Sequence, residues 1–366
     1  MMRLGFLRNF RDIDILLLLS IVVLSLFGFA ALYSVGLGKD PQNFFYIQKQ
    51  LSVFAVFFIL FFIISLINYR IIRSMSFLLY IAFCGLLVVV LISGQTIRGT
   101  RGWFMLGSFG IQPAEFIKLA LVCVLARYFS SHTRQIGQFR HIVVSALFMA
   151  LPLGLVLLQP DLGSATVLFL IWFGMIMISG IPKKYILALC VGISVISLSA
   201  WLFFLKDYQK DRIMTFLRPT ADVQGSGYNV HQAMIAIGSG QIFGRGLGFG
   251  SQSHLKFLPE TQTDFIFSVV AEEMGLIGMI ILFAFWMVFF HRLIRIMKIC
   301  RDDFALYAVL GISIMFFTHV MLNIGGNIGL VPLTGIPLPF LSYGGSSLAI
   351  SLLAVGLVQS IKVYNS

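Results

Sequence analysis

Residues 258–275 read Leu258-Pro259-Glu260-Thr261-Gln262-Thr263-Asp264-Phe265-Ile266-Phe267-Ser268-Val269-Val270-Ala271-Glu272-Glu273-Met274-Gly275, and an apolar run continues to about residue 290. A polar loop here enters a helix long enough for the ~30 Å of bilayer hydrocarbon, which takes about 20 apolar residues. Carboxylates enter with it. Asp264 falls at the mouth, and at helical spacing Asp264, Ser268 and Glu272 share one face, with Glu272 about 12 Å along the axis from Asp264. Ionisable groups at membrane depth are costly, so they are functional candidates by default. A carboxylate among others at a membrane mouth has the surroundings of a general base. Thr261-x-x-Asp264 also fits a capping box, and acids favour helix N-termini. A cap, however, needs no acids two turns deeper, at Glu272 and Glu273.

The rest of the chain agrees with a membrane setting. Hydrophobic residues make up 59% and charged residues 11%, where a soluble domain carries about a quarter charged. Ten apolar runs are expected to span, at about 13–35, 45–67, 74–93, 113–129, 141–158, 162–180, 185–205, 265–290, 304–324 and 343–361. The first is too long for the apolar core of a signal peptide. With the N-terminus in the cytoplasm, inner segments hold fifteen Lys and Arg and the short outer segments five, the bias of the positive-inside rule. The expectation is an all-α integral membrane protein: one domain, 1–366, with ten transmembrane helices, both termini inside, and a long extracytoplasmic loop, 206–264, between helices seven and eight. An amphipathic run at 229–237 in that loop suits the interface plane.

Several chemistries are disfavoured. The net charge of +12 is spread over short loops without a basic tail, which argues against nucleic acid. Cys84, Cys123, Cys190 and Cys300 form no CxxC pair, and the six histidines form no HExxH, so neither a disulfide framework nor a His/Cys metal cage is expected. The glycine stretch Gly238–Gly250 follows no strand and contains no P-loop.

Three further motifs lie toward the outer face. In Gln112-Pro113-Ala114-Glu115-Phe116-Ile117-Lys118, Pro113 suits the first helical position. Glu115 and Lys118 share a face, as a mutually neutral pair or as a lysine held for a phosphate. Arg98, Arg101 and Trp103 precede it, with the arginines placed for pyrophosphate or lipid headgroups and Trp103 for the interface. In Gln159-Pro160-Asp161-Leu162-Gly163-Ser164, Asp161 is placed to cap a helix or to face a cavity. Gly335–Ser347, with two prolines and two adjacent glycines, is irregular backbone that protein or a wet cavity must cover at membrane depth.

Leu258–Gly275, Gln112–Lys118, Gln159–Gly163 and Pro337–Ser347 together resemble the SEDS family of cell-shape, division and sporulation proteins, over nearly the whole chain. Within it, Asp207–Arg212 and the short tails resemble the elongation member more than the division member. Gln262 departs from the His that many relatives carry before Thr-Asp. The resemblance implies a peptidoglycan glycosyltransferase that polymerises lipid II, with the glycan on undecaprenyl pyrophosphate as donor and inversion at the anomeric carbon. It implies Asp264 as the base, Glu115 and Lys118 near the pyrophosphate with Arg101, and Asp161 in substrate or cation placement. Trp103 and Glu272 join these as candidate substrate-binding residues. It implies a class B penicillin-binding protein as partner. A divalent cation, Mg2+ or Mn2+, is left open, since no complete metal cage is present. The rival readings are a lipid II flippase and a non-catalytic scaffold. A flippase needs a polar path through the inner leaflet, where these helices carry few charges, and a scaffold leaves the deep acids unexplained.

Overall fold

The computed structural model describes residues 12–38, 42–97, 99–107, 109–133, 138–204, 210, 214, 226–250 and 260–365. They are mostly helical: α1 (Ile15–Leu37), α2 (Phe45–Leu66), α3 (Tyr69–Ser93), α4 (Pro113–Ser131), α5 (Phe139–Leu158), α6 (Leu162–Ile178), α7 (Lys183–Ser199), α8 (Ser226–Ser239), α9 (Ile266–Ile299), α10 (Asp303–Asn327) and α11 (Gly345–Asn365). Starts follow local chemistry. Asp14 caps α1 by accepting from Leu17 N at 3.0 Å, Asn68 caps α3 through Arg70 N at 3.0 Å, and Pro113 opens α4. Among the described residues, seven helices (α1, α2, α3, α5, α9, α10 and α11) are long and apolar enough to cross a membrane, and α6 is apolar but 17 residues long. The chain is therefore a multi-pass membrane protein.

One feature departs from the expected all-α fold. The segment before α4, expected as a loop, is a three-stranded antiparallel sheet of β1 (Gln95–Ile97), β2 (Thr100–Leu106) and β3 (Phe109–Ile111) in that order. Aromatic and β-branched residues favour strands, and Gly99 (φ 81°) and Gly107 (φ 61°) take the left-handed turn positions between them. Within the long loop lies α8. It covers the amphipathic run, and its best-buried residues, Ala233 and Ala236, pack with Phe265 and Leu333 while Met234 stays exposed. It docks against α9 and α10. The charged run Asp207–Arg212, apart from Lys210, lies outside the described residues, as does Arg98.

α9 is interrupted ten residues in, at Gly275 (φ 62°, ψ −164°). The break frees backbone groups that lipid cannot satisfy. The 241–246 loop supplies them: Arg245 N and Gly246 N donate to Glu272 O and Glu273 O at 3.0 Å each, and Leu276 N and Ile277 N donate to Gln241 O and Ile242 O at 2.8 and 3.2 Å. Glu273 lies under this loop and accepts from Ser34 Oγ of α1, which in turn accepts from Gly248 N at 3.1 Å.

α11 is buried along most of its length against α2, α9 lies on α1, and α4 contacts α3 and α10. At one end of the bundle Arg292 donates to both carboxylate oxygens of the buried Asp14 at 2.5–3.0 Å. Gln359 of α11 bonds the backbone N–H and C=O of the same residue. This clasp joins α1, α9 and α11. The cavity described next lies at the other end.

Candidate active site

Asp264 stands on a turn, not on the helix cap. Glu260 adopts a left-handed conformation (φ 53°), and its carbonyl accepts from Thr263 N and Asp264 N at 3.0 and 3.2 Å. The cap of α9 is Phe265, whose side chain makes no capping bond. Three successive carbonyls then receive donors from the rest of the fold. Tyr343 N donates to Gln262 O at 2.8 Å, Ser342 Oγ to Thr263 O at 2.6 Å, and the Asn323 and Asn327 amides to Asp264 O at 3.1 and 2.9 Å. Ser342 is held in turn by Gln50 of α2, whose Nε2 donates to its carbonyl at 3.0 Å. The irregular 335–344 segment therefore clamps the Asp264 turn. Phe340 keeps a positive φ of 65° inside it, its ring packed among Trp286, Phe289 and Phe316.

Asp264 lines a cavity of about 580 Å³ together with Lys49, Trp103, Asp161, Tyr46 and Tyr343. Sites of 300–1,000 Å³ suit small or modular ligands. Asp161 does two things: Oδ1 caps α6 through Ser164 N at 2.9 Å, and Oδ2 accepts from Gln112 Nε2 at 3.1 Å. The Lys49 ammonium lies 5.2–5.9 Å from the ring centres of Phe109, Phe45 and Tyr343, within cation–π range. Burial raises the Tyr343 phenol above its ordinary pKa, so it remains an O–H donor at neutral pH.

The predicted residues thus divide. Asp264, Asp161 and Trp103 come together around one cavity. Glu115 and Lys118 lie beneath it and do not line it. Lys118 is fully buried, its Nζ 2.6 Å from Glu115 Oε1 and 3.4 Å from His319 Nε2 of α10. Arg101 is exposed and turns back onto α3, donating to Ile92 O at 2.7 Å and Gly94 O at 3.3 Å. Glu272 is fully buried in α9, outside the lining. Lys49 was missed as a site residue: in sequence it is one cation near the start of an apolar run, counted only toward orientation. Among the described residues no group of three or more His, Cys, Asp or Glu could hold a metal ion.

Long apolar helices carrying a polar cavity with two carboxylates and a lysine at one end define a multi-pass membrane protein with a built site at the end of its helix bundle. The chain belongs to the FtsW/RodA/SpoVE family, described as cell cycle proteins and matched over residues 12–366; this is the SEDS family that its motifs resemble. It is 38% identical to stage V sporulation protein E of Bacillus subtilis, over 96% of this chain and 97% of that protein. It is 31% identical to the peptidoglycan glycosyltransferase RodA of Treponema pallidum, over 97% and 98%. In structure it is similar to a chain of a peptidoglycan synthase complex that coordinates polymerization and crosslinking, with a TM-score of 0.80, 30% identity and coverage of 96% and 97%.

Proposed function

We propose that this protein polymerises lipid II into glycan strands on the outer face of the cytoplasmic membrane, in the elongation role of RodA, beside a class B penicillin-binding protein. The coarser part follows from the family: the chain is a peptidoglycan glycosyltransferase, as its curated relatives are named. The observation that carries the mechanism is Asp264, held by its backbone at the wall of a cavity that also contains a lysine and a second carboxylate.

In this reading Asp264 takes the proton from the 4-hydroxyl of the incoming lipid II sugar. The hydroxyl oxygen forms the new bond to the anomeric carbon of the undecaprenyl-pyrophosphate-linked glycan. The carbon–pyrophosphate oxygen bond breaks on the opposite side, which inverts the centre. Lys49 offsets charge on the departing pyrophosphate. The geometry favours Lys49 over Lys118 and Arg101 for this task, because Lys118 is neutralised beneath the cavity and Arg101 bonds backbone outside it. Trp103 and Tyr343 offer faces and edges for the sugars. Asp161 and Asp264, with pyrophosphate oxygens, are also the kind of donor set that Mg2+ or Mn2+ takes, and such an ion would add to the screening of the leaving group.

The test is lipid II polymerisation by the purified protein with its cognate class B partner, comparing wild type with Asp264→Asn. Polymer from wild type and none from a folded, partner-bound variant supports the base assignment. Equal polymer from both removes Asp264 from the chemistry. Polymer from neither, where a known polymerase works, shifts the reading to a flippase or a scaffold.

A further inference from the structure

His319, Asn323 and Asn327 recur every four residues and stand on one face of α10. None is more than 4% exposed, in a helix otherwise apolar enough to span a membrane. Burying an amide without partners is costly, so the destination of their donors is informative. Both amides converge on one atom, the backbone oxygen of Asp264, at 3.1 Å from Asn323 and 2.9 Å from Asn327. Each also reaches a second carbonyl: Asn323 donates to Ile336 O at 2.9 Å and Asn327 to Asn323 O at 2.8 Å. Asn327 Oδ1 accepts from Ser268 Oγ in the first turn of α9 at 2.6 Å. One stripe of α10 therefore ties the Asp264 backbone to both the first turn of α9 and the 335–344 segment. The carboxylate faces that segment, since a Cβ added at Gly335 would lie 3.9 Å from Asp264 Oδ2.

We propose that Asn323 and Asn327 are positioning residues: they fix the backbone from which the Asp264 carboxylate reaches the acceptor hydroxyl. The proposal rests on Asp264 acting as base. A base must lie within hydrogen-bond reach of its proton, and a misplacement of about 1 Å can cost on the order of a hundredfold in rate. Because two amides share one acceptor, either alone retains part of the hold.

The experiment uses the full chain with its class B partner. The variants are Asn323→Leu, Asn327→Leu, the double Leu variant, and Asn323→Gln and Asn327→Gln, which keep an amide. Thr318→Val alters a buried polar residue of the same helix as a control. Leu shares the γ-branched, four-heavy-atom shape of the Asn side chain and suits a membrane helix, so the variants are expected to fold. Turnover at saturating lipid II, KM and melting temperature are read together. The expected result is turnover down about threefold to tenfold in the single Leu variants and about a hundredfold in the double. KM stays within twofold, the loss of turnover exceeds what any fall in the folded fraction accounts for, and the Gln variants recover part of the rate. A double variant within threefold of wild-type turnover overturns the proposal. So does a loss that tracks a fall in melting temperature and is not recovered by Gln, which would make the amides fold determinants alone. If Asp264→Asn polymerises as fast as wild type, the base assignment has failed, whatever the Leu variants do. If Asp264→Asn is inactive and the double Leu variant is normal, only the positioning role has failed.

Discussion

Gly275→Ala should uncouple the 241–246 loop from α9. The native conformation (φ 62°, ψ −164°) lies in a region essentially reserved for glycine, and holding alanine there costs about 1–3 kcal/mol. A new Cβ would also fall on Gly244 N and lie 2.7 Å from Ile242 O and 2.8 Å from Phe243 C, all backbone that cannot rotate aside. Relief requires the loop to move away, which breaks up to four backbone bonds, worth about 0.5–1.5 kcal/mol each. The strain and the lost bonds are alternatives in part, so the expected destabilisation is about 3–5 kcal/mol, confined to this junction. Hydrogen exchange of the protein in nanodiscs reads it directly. The amides of Arg245, Gly246, Leu276 and Ile277 should lose protection by two orders of magnitude or more, since about 1.4 kcal/mol is a factor of ten. Amides of α11 should keep theirs. Unchanged protection at those four amides in a folded Gly275→Ala protein would refute the reasoning. Gly244→Ala should act similarly, because its Cβ would lie 2.7 Å from Gly275 N.

Lys49→Met should lower kcat/KM for lipid II by about tenfold to a hundredfold, the worth of a charge-assisted hydrogen bond, with Lys49→Arg recovering much of it; initial polymerisation rates decide this. Arg101→Ala should leave KM within about twofold, because its donors go to backbone carbonyls at an exposed edge and such surface changes are usually small. Lys118→Met strands the buried Glu115 carboxylate and should cost about 3–5 kcal/mol, seen as a lower melting temperature, while Glu115→Leu with Lys118→Leu recovers stability. Asp14→Ala should cost about as much by leaving Arg292 unpaired in the three-helix clasp, again read by thermal melting.

What the sequence reveals and what it hides follow from the same physics. A membrane makes charge conspicuous, so Asp264, Asp161 and the Glu115–Lys118 pair are visible as interruptions in apolar runs, and the spans are visible as the runs themselves. Role is harder to read, because it depends on which way a side chain turns. Lys118 and Lys49 are both single lysines near the starts of apolar helices. One is neutralised by its i−3 neighbour Glu115 beneath the cavity, and the other lines the cavity beside Tyr343, almost three hundred residues along the chain. The Asn323–Asn327 spacing is visible in the sequence, but uncharged amides do not stand out as ionisable groups do, and their acceptor is a backbone oxygen 59 and 63 residues away. The same holds for Glu272 and Glu273. As side chains at membrane depth they read as chemistry. In the fold their backbone carbonyls receive the 245–246 amides at a broken helix, and Glu273 meets Ser34 beneath that loop. Buried acids therefore separate into two kinds only when their surroundings are known. Asp264 opens on a cavity with a cation in its wall, whereas the Glu273 side chain accepts from Ser34 beneath a loop docked on a kinked helix. Replacing Glu273 with Gln should accordingly lower melting temperature more than it lowers the turnover of the protein that remains folded. Asp264→Asn should do the reverse. A Glu273→Gln protein with native melting and no polymerisation would move that acid from the junction to the chemistry.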